Sequence, residues 1–179
     1  IVLDEIGKTD IFTGVKKMDF EQAIDQGMIV MIGDEVEEAY LDEVQKQCVN
    51  PELAKEKGDT LKFVYTPFHG AGNKPVRKIL KRIGFNNVVV VKEQELPDGD
   101  FPTVESPNPE NKEGFKLAIG YAKECGADLI VGTDPDSDRV GILVKNDKGE
   151  YVTFTGNQVG TLLSEYIPVS YTHLTLPTN

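Results

Sequence analysis

Asp134, Asp136 and Asp138 stand on alternate residues in the run Thr133-Asp134-Pro135-Asp136-Ser137-Asp138-Arg139. Three like charges this close repel, and keeping all of them ionised is costly unless a cation sits among them. Hard divalent cations such as Mg²⁺ take oxygen ligands, and two or three carboxylates suit them. The spacing lets a curved loop aim three side chains at one point, so a divalent-metal site is the first expectation. Arg139 follows directly, and its planar guanidinium suits a phosphate or one of the carboxylates. A solvated acidic turn between two strands is the plainer alternative. An EF-hand is excluded: counted from Asp134, the positions that need Gly and Glu hold Arg139 and Lys145. A phosphatase with an Asp nucleophile also carries Asp-x-Asp after an apolar strand, and would make Asp134 or Asp136 the attacking group. Its usual downstream Lys and acidic pair are not well matched, because Lys145, Asp147 and Lys148 fall in an expected hairpin turn. A non-catalytic metal-binding module is the third reading.

The apolar runs Leu129 to Val131 and Val140 to Val144 flank the acidic loop, as buried strands would. The loop is therefore expected at a sheet end, where open α/β folds hold ligands. Further strands are expected over Met28 to Ile32, Leu61 to Tyr65, Asn87 to Val91 and Tyr151 to Phe154. The turn Asn146 to Gly149 joins the last of these to its neighbour in a hairpin. Asp19 with Gln22 reads as a helix start that buries Phe20, Ala23 and Ile24 and stops at Gly27. Asp34 with Glu37 opens a helix with Val36, Tyr40, Leu41 and Val44 on one face and a run of acidic residues, read as solvated, on the other. A third helix carries Val76, Ile79, Leu80 and Ile83 inward and Lys74, Arg77, Lys78, Lys81 and Arg82 outward, with Gly84 as its stop. Asn108 is expected to cap a fourth helix, with Pro109 at its first position and Phe115, Ala118 and Ala122 inward. Asn157 opens the last, with Val159, Leu162, Leu163 and Tyr166 on one face. This order gives an α/β domain: a mixed, mainly parallel sheet with flanking helices and a C-terminal β-hairpin.

The loop after the Leu61 to Tyr65 strand contains His69, Gly70 and Gly72. It resembles a phosphate loop in outline, but no Gly-Lys-Ser/Thr follows, and a tight turn accounts for the glycines. His69 is open between acid-base chemistry and structure. Residues 1–35 read as a connecting segment, 36–167 as the α/β domain, and 168–179 as a tail without a core-forming pattern. That tail has no Asp, Glu, Lys or Arg and resembles an artefact of cloning or assembly. The chain starts at Ile1 rather than Met, which raises the expectation of a fragment or a processed product.

The formal net charge of −11 argues against non-specific nucleic-acid binding, which needs a basic face. The charge is uneven. Residues 1–60 carry 6 Lys against 15 acidic residues, whereas residues 61–100 carry 7 basic against 4 acidic. The basic middle is the part best suited to face an anion. Cys48 and Cys125 are isolated, as reduced thiols of a cytoplasmic protein are. No apolar run approaches a membrane span and no signal peptide is present.

The acidic loop resembles the metal loop of the α-D-phosphohexomutases, the phosphoglucomutase and phosphomannomutase family. Three further stretches are similar to that family's second domain, in the same order. They are Tyr65 to Arg77, Gln94 to Pro102 together with Pro107-Asn108-Pro109-Glu110, and Thr155-Gly156-Asn157-Gln158-Val159-Gly160. Together they cover about residues 28–167. The resemblance implies one domain of a four-domain enzyme that interconverts hexose 1-phosphate and hexose 6-phosphate through a phosphoserine and a hexose bisphosphate. It implies Mg²⁺ held by Asp134, Asp136 and Asp138, with Arg139 on the phosphoserine or the substrate phosphate. The family's serine loop, Thr-Ala-Ser-His-Asn-Pro, does not occur in this sequence, and neither does its Gly-Glu-x-Ser-Gly sugar loop. Ser106-Pro107-Asn108-Pro109 imitates the former without its His. The chain by itself is therefore expected to be inactive.

Overall fold

The computed structural model describes residues 1–170 and the side chains of residues 1–167. By contact density the chain separates into two units, Ile1–Glu37 and Glu38 onward.

The first unit holds α1 (Val2–Lys8) and α2 (Phe20–Asp25), and the start of α3 (Asp34–Gln45). The cap of α2 is the expected one: the Asp19 side chain accepts from the Gln22 N–H, and Gly27 follows at φ 69°. Ala23 is buried, but Phe20 is exposed, so the expected stripe is narrower than its spacing suggested. Met28 to Ile32 is not a strand. Met28, Val30, Met31 and Ile32 are all exposed, and among the described residues no strand pairs with them. A β-prone run becomes a strand only when a neighbour accepts its backbone hydrogen bonds.

The second unit is built on a five-stranded sheet in the order β2-β1-β3-β4-β5. The strands are β1 (Phe63–Thr66), β2 (Val88–Val90), β3 (Leu129–Thr133), β4 (Val140–Lys145) and β5 (Tyr151–Phe154). β1 pairs parallel with β2 and β3, and β4 pairs antiparallel with β3 and β5. The sheet is mixed, as expected, and the acidic segment is the connection between β3 and β4. All four residues of β1 are buried, which explains why this central strand reads as a continuous run rather than an alternation.

The parallel crossovers contain α5 (Asn73–Arg82) and α6 (Lys116–Cys125). A helix that the sequence pattern does not announce, α4 (Pro51–Gly58), follows Asn50 with Pro51 at its first position. Its apolar content is too low for periodicity to reveal it. α6 ends at Gly126 in the left-handed conformation, as its sequence requires. Its start differs from expectation. Asn108 accepts from the Glu110 N–H in a local turn, a 3₁₀ turn covers Lys112–Phe115, and the α-helix begins at Lys116. α7 (Gly156–Ser170) is capped by Thr155 and Gln158 rather than opened by Asn157. Thr155 Oγ1 accepts from the Gln158 N–H, and Gln158 Oε1 accepts from the Thr155 N–H. The helix continues past Pro168, and the rest of the expected tail lies outside the described residues.

The core contains Val64, Phe68, Val91, Phe115, Ala118, Ala122, Ala127, Ile130, Leu143 and Tyr151. Phe68 and Phe115 meet edge-to-face at 5.2 Å, a favoured aromatic geometry. Gly132 of β3 makes room for them, since a Cβ there would lie 2.6 Å from Phe115 Cε1. The Tyr151 hydroxyl donates to the carbonyls of Ala127 and Ala122, so its burial leaves no orphaned donor.

Two opposite charge runs partly answer each other. Arg82 on α5 bridges Glu38 and Asp42 on α3, so the acidic face of α3 is not simply solvated. Exposed pairs of this kind add little stability. No described helix is long and apolar enough to cross a membrane.

Candidate metal centre

β3 delivers Thr133 and Asp134 to the end of the sheet, and the chain turns back at once into β4. The turn is held locally. The Ser137 N–H donates to the Asp134 carbonyl at 3.0 Å, and Ser137 takes φ 61°. That left-handed residue curls the loop, so three carboxylates on alternate residues converge. Asp134, Asp136 and Asp138 each present one carboxylate oxygen, and these oxygens lie within 4.8 Å of one another. Asp134 is 1% exposed, whereas Asp136 and Asp138 face solvent.

Arg139 anchors Asp134 from both sides. Its backbone N–H donates to Oδ1 at 3.0 Å and its Nε–H donates to Oδ2 at 2.7 Å. Burial alone would raise the Asp134 carboxyl pKa, but these hydrogen bonds and the guanidinium charge outweigh it and hold it below the ordinary value. Asp138 goes the other way: the charges of Asp136 and then Asp134 raise it. The Arg139 side chain, still half-exposed, also lies 3.8 Å from Asp138.

The depressed Asp134 carboxyl stabilises the fold above its unfolded-state value, near pH ~4. That contribution is lost as pH falls through the lower folded-state value. Arg139→Met should return Asp134 upward, because burial then acts with less opposition. The acid limb of the stability curve should flatten, read by denaturant midpoints between neutral and acidic pH. An unchanged limb would mean that Arg139 does not govern this carboxylate.

The acidic loop rests on the connection between β1 and α5. The Ala71 N–H donates to the Pro135 carbonyl at 2.8 Å. A Cβ on Gly70 would lie 2.6 Å from Pro135 O and overlap its Cα. A Cβ on Gly72 would lie 2.8 Å from Thr133 Oγ1 and Tyr65 Oη, which are themselves hydrogen-bonded at 2.9 Å. Gly72 has φ −65°, so it is not there for a left-handed turn. Gly70 does close a tight turn, its N–H donating to the Pro67 carbonyl at 2.8 Å, but what bars a side chain at both glycines is the close approach of the acidic loop, which no local pattern reveals.

His69 belongs to a buried polar chain beside this connection. Its Nδ1 lies 3.0 Å from the Leu96 carbonyl and its Nε2 lies 2.9 Å from Thr103 Oγ1. A carbonyl only accepts, so Nδ1 carries the proton. Gln94 Nε2 donates to the Thr103 hydroxyl, and Gln94 Oε1 accepts from Thr66 Oγ1 at 2.7 Å. Both ring nitrogens of His69 are thus engaged in tying the 94–103 loop to the end of β1. Ser106 is exposed and lines a separate cleft with Thr103, Asn111 and Lys112.

A cavity of about 420 Å³ opens beside Arg139. Glu110, Thr155, Gly156 and Asn157 line it, which brings three distant stretches of sequence to one place. Gly141 lets the Asn108 to Glu110 turn lie against β4, since a Cβ there would sit 2.8 Å from Pro109 Cβ.

Comparison with known proteins shows the family of the chain. A family model described as phosphoglucomutase/phosphomannomutase, alpha/beta/alpha domain II, matches residues 38–149. The chain belongs to the phosphoglucomutase/phosphomannomutase family. It is 39% identical over 142 residues to the probable phosphomannomutase of Haemophilus influenzae, a match covering 79% of this chain and 28% of the relative. It is 38% identical over 152 residues to the phosphoribomutase of Saccharomyces cerevisiae, covering 81% and 24%. A solved structure from Thermus thermophilus, provisionally named a phosphomannomutase, superimposes with a TM-score of 0.59 at 25% identity, over 74% of this chain and 28% of that one. The chain thus spans about a quarter of the length of these relatives.

The donor set suits a hard divalent cation. An octahedral Mg²⁺ holds oxygens at about 2.1 Å, so its ligand oxygens stand roughly 3 to 4 Å apart. Three carboxylate oxygens within 4.8 Å need only a small closure to meet that.

Proposed function

We propose that this chain is the metal-binding domain of a sugar-phosphate mutase, with Asp134, Asp136 and Asp138 as Mg²⁺ ligands and Arg139 as a phosphate-binding group. The convergence of three carboxylate oxygens at the end of β3 carries the reading. Residues 1–35 are the connecting segment and 36–167 the metal-binding domain. The reaction is the interconversion of hexose 1-phosphate and hexose 6-phosphate through a phosphoserine and a hexose bisphosphate. The phosphoserine, the sugar-recognition loop and the clamp on the distal phosphate belong to other parts of the enzyme. Free thiols at Cys48 and Cys125 favour a cytoplasmic setting.

When bound, the ion neutralises charge on the phosphoryl group in transfer. Asp134 is held rigid by Arg139 and so fixes one ligand direction, while the exposed Asp136 and Asp138 close from the solvent side. The half-exposed guanidinium of Arg139 lines the cavity together with Glu110 and Asn157, and its outer N–H groups would serve as donors to a phosphate oxygen.

Two experiments test the proposal. The chain alone, given glucose 1-phosphate, glucose 1,6-bisphosphate and Mg²⁺, should form no glucose 6-phosphate, since catalysis needs all its groups held together. Turnover by a clean preparation would overturn this and bring Ser106 forward as a phosphoryl carrier. Residues 38–149 grafted in place of the matching segment of the H. influenzae relative should support mutase turnover, and Asp136→Asn in that graft should abolish it. Equal turnover of both grafts would remove the metal role from this loop.

A further inference from the structure

We propose that Gly70 and Gly72 form a platform that positions the metal loop, acting through Pro135 and Ser137 without touching the ion. Its consequence for metal affinity rests on the metal reading above.

The chemistry of the connection from β1 to α5 points this way. Phe68 and His69 take φ 46° and 62° although they are not glycines. The two glycines that follow lie outside the left-handed region, so conformational freedom does not explain them. Proximity does. The obstacle to a side chain at Gly70 is the backbone of Pro135, which cannot swing aside as a side chain would. Pro135 lies between Asp134 and Asp136, so displacing it moves both carboxylates. The obstacle at Gly72 includes the Ser137 hydroxyl, and Ser137 adjoins Asp138. Each glycine thus governs the approach of one half of the loop.

The platform itself is anchored. The His69 N–H donates to the Gln94 carbonyl at 2.9 Å, and both His69 ring nitrogens are bonded to the 94–103 loop. Gly70 follows His69 directly, so it cannot retreat without breaking that network. A clash at Gly70 is therefore relieved by the acidic loop, whose outer carboxylates are exposed. Groups that orient metal ligands from behind typically change affinity about 10- to 100-fold when removed.

The test compares wild type, Gly70→Ala and Gly99→Ala, the last in a loop where a Cβ meets nothing within 4 Å. Amide hydrogen exchange is read in EDTA and Mn²⁺ affinity by titration. Gly70→Ala should lose protection at Ala71 and Arg139, whose N–H groups bond within and to the loop, while β1 and β3 keep theirs. Its Mn²⁺ affinity should fall about 10- to 100-fold, and Gly99→Ala should match wild type in both. Retained protection at Ala71 and Arg139, or lost protection with unchanged affinity, would overturn the proposal. If wild type binds no Mn²⁺, the metal reading fails, and the exchange result alone decides the platform. Should Gly70→Ala not fold, Gly72→Ala meets the side-chain oxygens of Ser137, Thr133 and the buried Tyr65 rather than backbone, a milder clash; wild-type exchange at Ser137 and Arg139 in that variant would refute the platform, and faster exchange there would support it.

Discussion

Phe115→Ala should remove about 4 kcal/mol of stability, within the 3–5 kcal/mol usual for truncating a buried Phe. Phe115 has no exposed surface, meets the Phe68 ring edge-to-face, and fills the space left by Gly132. Three elements share the resulting cavity: the turn before α6, the β1 exit and β3. Collapse is hindered because Gly132 has no side chain to move into the gap. Domains of this size have roughly 5–15 kcal/mol in total, so the variant should lose a large share of its margin. Urea unfolding should show a lower midpoint at an unchanged slope. Phe20→Ala, at an exposed site, should change stability by about 0.5 kcal/mol or less. Similar losses for both variants would mean that Phe115 is not a core residue.

Asp136→Asn should abolish most of the metal-dependent stabilisation of the chain. A ligand that binds only the folded state raises stability by mass action. A site made of three carboxylates and completed by water binds Mg²⁺ or Mn²⁺ weakly, so millimolar Mn²⁺ should raise the melting temperature of the wild type modestly. Replacing one of three carboxylates by a neutral amide removes a third of the negative charge that holds the ion, so an affinity that is already weak should fall further. The same substitution should act in the opposite direction without metal. Asp136 is the largest contributor to the raised Asp138 carboxyl, and a raised carboxyl costs stability as pH rises through its titration. The metal-free variant should therefore melt slightly above metal-free wild type at neutral pH. Thermal melts in EDTA and in Mn²⁺ read both signs. Equal metal shifts in the two proteins would leave the loop as an ordinary acidic turn.

These effects depend on features that were legible in the sequence to different degrees. Local patterns carried what is decided by local chemistry. Asp19 with Gln22 caps α2, Gly84 and Gly126 end helices with left-handed backbones, and Asn146 to Gly149 turns the β4–β5 hairpin. Each needs only neighbours along the chain, so residue type and spacing are sufficient. The grouping of Asp134, Asp136 and Asp138 is likewise readable, because three carboxylates within five residues can be gathered by a single turn.

What needed the tertiary structure is what depends on partners distant in sequence. Met28 to Ile32 has strand character, yet no strand among the described residues pairs with it. Asn108 can cap a helix, but its local turn with Glu110 holds it, and α6 begins only after a further 3₁₀ turn. His69 has catalytic chemistry, and its two ring nitrogens are occupied by Leu96 and Thr103 instead. Arg82 appeared as one of several solvated cations until Glu38 and Asp42 were placed beside it. Gly70 and Gly72 looked like turn residues, and only the approach of Pro135 and Ser137 from more than sixty positions away gives them their physical reason. The sequence by itself determined which groups could bind a divalent cation and roughly where the sheet ends; the packing of the β1–α5 connection under the β3–β4 loop decided how close those groups come.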